Sequence, residues 1–176
     1  MSTYAAVKAA LTEKKLDESF ALAYSKKHFD EQYSRFLGVL SDFEEQYGKD
    51  DEREVSLFSA PGRTEVSGNH TDHNHGRVIA AAVDLDAVAA ASKNDEGIVR
   101  VKSRGYNIDT VEITDLEVNS EDAGHSRSLV RGILARFKEL GYNIGGFDAT
   151  TASKVLSGSG LSSSAAFEVL VCTILN

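Results

Sequence analysis

The densest group of polar side chains in the sequence spans residues 59–76, around its only proline. Asn69, His70 and Asp72 offer hydrogen-bond donors and acceptors at nearly consecutive positions, which recognition of a polyhydroxyl ligand such as a sugar requires. Arg63 keeps its positive charge at any working pH and can stabilise negative charge that develops on a transferring phosphoryl group. The segment therefore predicts a site for a hydroxyl-rich ligand with a cation beside it.

A second group, made of small residues, lies between a predicted strand and a predicted helix. Glycines let a ligand approach the backbone closely, and the first turn of a helix offers free N–H groups and a positive dipole end. That combination suits an anion, above all a phosphate, and serine hydroxyls can bind phosphate oxygens or Mg²⁺. The alternative is a serine-capped helix that follows a flexible turn. The group consists of Gly158, Ser159, Gly160, Leu161, Ser162, Ser163 and Ser164.

Other chemistries fit these two segments less well. No lysine follows the glycines, which excludes the ordinary P-loop, and the spacing around Ser159 does not match the nucleophile elbow of a hydrolase. A metal-dependent hydrolase would need ligands from elsewhere, and the other histidines are His28 and His125. A polar loop without a ligand is the simplest alternative for the first segment. The metal-ligand candidates in that segment are His70, Asp72, His73 and His75.

Helices and short strands must position both segments. Residues 5–47 are predicted to be helical, because apolar residues recur there at three- and four-residue steps, and Gly48 can end that helix. A second helix is predicted from Ser126 or Ser128 to just before Gly141, and a third helix follows the small residues. Short apolar runs predict strands at 55–58, 78–83, 88–91, 98–102, 108–113 and 147–156.

Length and composition predict a soluble chain. The 176 residues are 41% hydrophobic and 26% charged, which allows one domain with an appendage. A net charge of −8 gives no overall attraction to nucleic acid or to an anionic membrane. No apolar run approaches the roughly 20 residues of a membrane span, and no basic-then-apolar leader is present, so a cytoplasmic location is expected. The single Cys172 excludes an internal disulfide and a cysteine-cluster zinc site.

Taken together, the two segments resemble the motifs of one kinase superfamily. Residues 60–63 (APGR) and 68–76 (GNHTDHNHG) resemble the signature of galactokinases. Residues 158–166 (GSGLSSSAA) resemble the ATP-binding motif of the GHMP kinases, which include galactokinase, homoserine kinase, mevalonate kinase and phosphomevalonate kinase. The resemblance implies an α+β fold of the ribosomal protein S5 domain 2-like type. It divides the chain into an N-terminal helical segment over 1–54 and a truncated GHMP kinase N-terminal domain over 55–176.

The resemblance also implies a reaction, the transfer of the ATP γ-phosphoryl group to the anomeric hydroxyl of galactose. Arg63 would then stabilise the transition state. Residues 158–164 would hold the ATP phosphates, with the hydroxyl of Ser164, or that of Ser163, at Mg²⁺. The sugar site would be lined by Asn69, His70, Thr71 and Asp72.

The chain departs from the galactokinase pattern at several positions. Galactokinases usually have Glu where Asn69 stands, Asn where Glu65 stands and Tyr where His73 stands, and the proline usual near the ATP loop is replaced around Leu156. An Asn in place of Glu loses a charge but gains a donor. We therefore expect hexose binding, with a kinase for a related hexose as one alternative to galactose.

The catalytic base of the family is an Asp downstream of the ATP loop, and the 176 residues contain no matching region. Asp84, Asp86 and Asp148 lie outside that context, so none of them is assigned as the base. We expect the N-terminal portion of a kinase, with a small-molecule sugar and ATP as partners and negligible activity on its own. A non-catalytic sugar- and ATP-binding sensor is a further alternative, and the oligomeric state stays open.

Overall fold

A six-stranded mixed sheet forms the centre of the molecule. The computed structural model describes residues 2–156 and 158–176. The strand order is β1-β2-β3-β6-β4-β5, and every neighbouring pair is antiparallel except β4 and β6. The strands are β1 (Ser2–Thr3), β2 (Glu54–Ser67), β3 (Ile79–Asn94), β4 (Ile98–Ser103), β5 (Ile108–Glu112) and β6 (Gly146–Ser153).

Helices cover both faces of this sheet. Because side chains alternate along a strand, Val88 and Ala90 of β3 pack against the N-terminal helices, while Ala89 and Ala91 belong to the apolar clusters on the other face. Burial on both faces explains why the middle of β3 reads as a run of small apolar residues. The helices are α1 (Tyr4–Thr12), α2 (Asp17–Phe20), α3 (Phe29–Tyr47), α4 (Ser126–Glu139) and α5 (Ser163–Leu175).

The predicted continuous helix over residues 5–47 is wrong in one respect, since the segment is broken into α1, α2 and α3. The hydroxyl of Tyr33 accepts a hydrogen bond from the backbone N–H of Leu16 at 2.7 Å and donates one to Asp17 at 2.8 Å, at the start of α2. The Phe20 ring then packs at a tilt against Tyr33 and stacks on Phe36. These contacts fold α2 back onto α3. The predicted end of the long helix at Gly48 is confirmed.

Two predicted strands, 78–83 and 88–91, form the single long strand β3. The pairing of β3 with β2 is irregular between them, since Pro61 pairs with Asp86 whereas Arg63 pairs with Ala82. A bulge of this kind redirects side chains locally. Within the described residues, no helix combines the length and the apolar character that would be needed to cross a membrane.

Candidate functional site

Arg63 lies on β2, directly after the irregular pairing with β3. Its side chain is 39% exposed, and Nη1 lies 3.8 Å from Oε2 of Glu65. Its backbone N–H donates a hydrogen bond of 3.0 Å to the carbonyl of Leu161 in the second segment. The side chain of Arg63 is therefore available to a ligand while its backbone is fixed.

The predicted ligand-binding residues follow β2 in a tight turn that includes a short 3₁₀ helix, Thr71–Asn74. Asn69 and His70 both have left-handed backbone angles, with φ of 51° and 58°. Gly76 closes the turn, because its N–H donates to the carbonyl of Thr71 at 2.7 Å and a Cβ at Gly76 would lie only 2.4 Å from the Thr71 side chain. The side chains of Asn69, His70, Thr71 and Asp72 are exposed at the surface of this turn.

Glu65 is a site residue that the motif analysis did not select. Its Oε1 accepts a hydrogen bond of 2.8 Å from the backbone N–H of His70, and its Oε2 lies 2.7 Å from His70 Nδ1. The side chain is 10% exposed, and Oε2 makes no hydrogen bond among the described residues. The only signal in the sequence was the departure from the galactokinase pattern at this position.

The predicted metal ligands are only partly brought together. Within the described part of the chain, Glu65, His70 and Asp72 form a group whose ligand atoms lie within 4.8 Å of one another. His73 and His75 do not belong to this group, although they lie in the same turn.

The glycine and serine loop leads directly into α5. Gly158 and Gly160 have φ of 75° and 76°, which glycine adopts without strain, and Ser162 at the N-cap is left-handed at 58°. Serine does occupy the N-cap position, but the Ser162 side chain makes no capping hydrogen bond in the described structure. The first-turn N–H groups have no carbonyl partner within the helix. Ser157, which precedes the loop, lies outside the described residues.

The two segments meet at Gly62, which is buried. A Cβ at this position would lie 3.1 Å from the carbonyl oxygen of Leu161 and 3.1 Å from both methyl groups of Val155. Glycine therefore allows the close approach that the hydrogen bond between Arg63 and Leu161 requires. The fold therefore places Gly62 and Arg63 beside Leu161 of the predicted phosphate loop, although about a hundred residues separate them in the sequence.

A cleft of about 700 Å³ opens beside this loop. Ser163, Ser164 and Phe167 of α5 form one side of it. His125, Ser126, Ser128 and Leu129, at the start of α4, form another side, and the floor comes from residues of β4, β6 and the segments that follow them. No Asp or Glu lines the cleft as far as the chain is described.

Asp86 and Asp148 are both engaged in polar contacts within the fold. Asp86 is 5% exposed and accepts hydrogen bonds from Tyr24 and Ser59, while Arg35 Nη1 lies 2.7 Å from its Oδ1. Burial, reinforced by the hydrogen bond to Asp86, raises the pKa of Tyr24 well above its usual value. Asp148 pairs with Arg100 at 3.0 Å.

Comparison with known proteins agrees with this architecture. The mevalonate kinase of Methanococcus jannaschii superposes with a TM-score of 0.56 at 18% identity, over 69% of this chain and 39% of that chain. Lactococcus lactis galactokinase, solved in complex with galactose, superposes with a TM-score of 0.72 at 28% identity, over 80% of this chain and 36% of that chain. The fold is therefore the expected α+β fold of the GHMP kinases.

Sequence relatives narrow this class further. Residues 41–93 match the galactokinase galactose-binding signature. The chain is 40% identical to the galactokinase of Streptomyces coelicolor over 136 residues, which are 76% of this chain and 34% of that protein. It is 33% identical to the galactokinase of Bacillus subtilis over 69% of this chain and 32% of that protein. The chain belongs to the galactokinase family and spans about a third of the length of these curated relatives.

Proposed function

We propose that this chain supplies the sugar and ATP sites of a kinase that phosphorylates the anomeric hydroxyl of galactose, giving galactose 1-phosphate and ADP. The observation that carries the proposal is the contact between the two segments, in which the Arg63 N–H binds the Leu161 carbonyl at 3.0 Å. A phosphoryl acceptor and ATP must lie side by side, because phosphoryl transfer depends mainly on positioning and charge stabilisation.

Each group of residues has its own role in this proposal. The exposed guanidinium of Arg63 stabilises charge on the transferring phosphoryl group. The exposed side chains of Asn69, His70, Thr71 and Asp72 contact sugar hydroxyls. Residues 158–164 bind the ATP phosphates, and the support for this role is the N-terminus of α5, which Ser162 leaves without a side-chain cap.

The cleft beside the loop fits ATP and Mg²⁺. Its volume of about 700 Å³ accommodates a nucleoside, and the hydroxyls of Ser163 and Ser164 stand on its wall. Mg²⁺, when bound, neutralises charge on the phosphate oxygens. The hydroxyl of Ser164, or that of Ser163, fits one of its coordination positions, and phosphate oxygens and water fit others.

The same proposal includes the organisation of the chain. Residues 1–54 are a helical segment and residues 55–176 are the kinase N-terminal domain, working in the cytoplasm. The carboxylates of Asp86 and Asp148 are held by arginines, which supports our choice not to assign either as the base. We therefore expect the 176 residues to bind sugar and ATP without appreciable turnover. Because Asp86 and Asp148 are both paired with arginines, a non-catalytic sugar and ATP sensor is a second candidate function.

Isothermal titration of the 176-residue chain with a panel of hexoses tests the sugar assignment. We expect galactose to bind most tightly, because residues 41–93 match the galactokinase galactose-binding signature. Asp72→Asn should weaken binding about tenfold, since charge-assisted hydrogen bonds are worth about 1.5–3 kcal/mol. Asp84→Asn, an exposed aspartate on β3, is the matched control. Binding of another hexose ten times more tightly than galactose would overturn the assignment.

A coupled assay for ADP release tests the expectation about turnover. The 176-residue chain and its Arg63→Ala variant should give the same background rate with galactose and ATP. A rate for the unmodified chain clearly above that of the variant would show that these residues contain a catalytic base.

A further inference from the structure

The segment between β5 and α4 contains a carboxylate that is completely buried. Asp122 ends a short 3₁₀ helix, Ser120–Asp122, and is 0% exposed. Its Oδ1 accepts a hydrogen bond of 2.5 Å from Nε of Arg127, and its Oδ2 accepts one of 3.0 Å from Nε of Arg131. Both arginines lie in the first two turns of α4. We propose that Asp122 is a positioning residue for the nucleotide site, which holds the start of α4 and the turn before it in place beside the cleft.

The start of α4 lacks a side-chain cap. Its N-cap residue is His125, whose side chain makes no capping hydrogen bond in the described structure. The backbone carbonyl of Asp122 accepts the N–H of His125 at 3.0 Å, and the carbonyl of His125 accepts the N–H of Ser128 at 3.1 Å. The Asp122 carboxylate also balances the charge of Arg127, which the positive end of the helix dipole would otherwise repel. Asp122 therefore holds the turn through its backbone and α4 through its side chain.

The residues that follow Asp122 line the cleft, whereas Asp122 itself lies behind them. Gly124, His125 and Ser126 are part of the cleft wall. A Cβ at Gly124 would have no neighbour within 4 Å, so no side chain packs against the turn at this point. On its other side, the Ser126 hydroxyl donates a hydrogen bond to Asp109 of β5. Polar contacts, rather than apolar packing, thus fix this part of the wall.

The burial of Asp122 favours a role in defining one conformation. A buried ion pair adds little net stability, because removing both charges from water offsets their attraction, yet it can specify a single arrangement. Burial by itself raises the pKa of a carboxyl group, but hydrogen bonds from Arg131 and Arg127 lower the pKa of Asp122 below its usual value. Asp122 is therefore charged at neutral pH and keeps both arginines in place. The wall is then formed before a nucleotide arrives, so binding does not have to order it.

Calorimetric titration of the 176-residue chain with ATP and Mg²⁺, and separately with galactose, tests this role. The inference rests on the proposed function, in which the cleft holds ATP. Asp122→Asn should weaken ATP binding at least about tenfold, because the affinity falls with the fraction of molecules in which the wall is in place. Galactose affinity should change less than about twofold, because the proposed sugar contacts come from the turn after β2 and share no partner with Asp122.

Asp115→Asn is the matched control. Asp115 lies in the same segment and its Oδ2 is 3.8 Å from Nη1 of Arg131, but its side chain is 71% exposed. It should change the ATP affinity less than about twofold, because exposed ion pairs contribute little. Arg127→Gln is the second variant should Asp122→Asn fail to fold, which circular dichroism would reveal. It leaves Asp122 paired with Arg131 and should weaken ATP binding at least about threefold.

The outcomes separate this inference from the proposed function. If the unmodified chain binds ATP and the folded variants at Asp122 and Arg127 bind it equally well, the inference is wrong and the proposed function stands. Equal weakening of ATP and galactose by Asp122→Asn, or an effect of Asp115→Asn as large as that of Asp122→Asn, would also overturn the inference. If the unmodified chain does not bind ATP, the proposed function is wrong and the inference with it.

Discussion

Two carboxylates, Asp86 on β3 and Glu65 on β2, have different environments. Asp86 pairs with Arg35 and accepts hydrogen bonds from Tyr24 and Ser59, so all of its polar surroundings are provided by the fold. Glu65 is also largely buried, yet one of its oxygens has no hydrogen bond in the described structure, and its neighbour His70 is exposed. Asp86 is therefore held by three other segments of the fold, whereas Glu65 is in contact with the neighbouring residues Arg63 and His70.

The two carboxylates differ in which elements supply their partners. Both residues are acidic, both lie near an arginine, and both are polar positions on paired strands. Sequence spacing alone does not distinguish them. What distinguishes them is the origin of their partners. Tyr24 and Arg35 of the N-terminal helical segment reach Asp86 together with Ser59 of β2, while Glu65 has partners from its own strand and turn.

The largest loss of stability should follow from removing the carboxylate of Asp86. Asp86→Ala leaves Arg35 largely buried without its partner, and breaking a buried ion pair in this way costs about 3–5 kcal/mol of unfolding free energy. Urea denaturation followed by circular dichroism measures it. Asp84→Ala is the control, because the Asp84 side chain is 65% exposed, and it should change stability by less than about 0.5 kcal/mol. Equal effects of the two substitutions would show that the partners of Asp86 do not stabilise the fold.

A smaller loss should follow when the contact between the two segments is overfilled. Gly62→Ala places a methyl group 3.1 Å from the Leu161 carbonyl and the Val155 methyls, and such overpacking costs about 1–3 kcal/mol. Gly132→Ala, in α4 with open space around it, should instead stabilise the chain by up to about 1 kcal/mol. Denaturant midpoints compare the two variants. A Gly62→Ala variant with unchanged stability would mean that the two segments are not closely packed at this position.

A still smaller effect on stability is expected at Glu65. Glu65→Gln should change the unfolding free energy by less than about 1 kcal/mol, because the affected oxygen has no hydrogen bond to lose and an amide keeps the shape. Thermal unfolding of the two chains measures the change in stability. A loss as large as that of Asp86→Ala would show that Glu65 is a structural carboxylate after all.

The smallest effect concerns an exposed carboxylate and its dependence on pH. Hydrogen bonds from Tyr4 and then Lys8 lower the pKa of Glu44 below its ordinary value of 4.5. Its contribution to stability is therefore complete above about pH 4.5 and is lost as the pH falls through the folded value. Unfolding curves of the unmodified chain and Glu44→Gln should differ slightly at pH 7 and converge near pH 3. A difference that grows at low pH would contradict this.

The sequence predicted the helices and strands better than the connections between them. The three- and four-residue spacing in residues 29–47 identified α3 and its buried face, because helix periodicity is a local property. The breaks before α3 were not predicted, since they depend on Tyr33 and Phe20 holding α2 against α3. No Pro or Gly marks these breaks in the sequence.

The candidate site shows the same limit. The chemistry of both segments stays a prediction from residue types, and the resemblance to galactokinases explains why they occur together. Their contact through Gly62 and Leu161 could not be predicted from spacing, because it depends on how α5 packs on β2. The buried oxygen of Glu65 was also hidden, because an acidic residue on a strand ordinarily points to solvent.

The exposed border of β2 has a consequence for the behaviour of the protein at high concentration. In the described structure β1 pairs with just its first two residues, so the rest of that border has no strand partner. Pro61 lacks an N–H, the irregular pairing bends the strand, Arg63 and Glu65 add charge, and the Arg63 N–H is already occupied by Leu161. These features discourage strands of different molecules from joining edge to edge. Arg63, which is proposed to serve the phosphoryl group, thereby also helps to protect the chain against aggregation, so the solubility of variants at Pro61 or Arg63 should be measured separately from their activity.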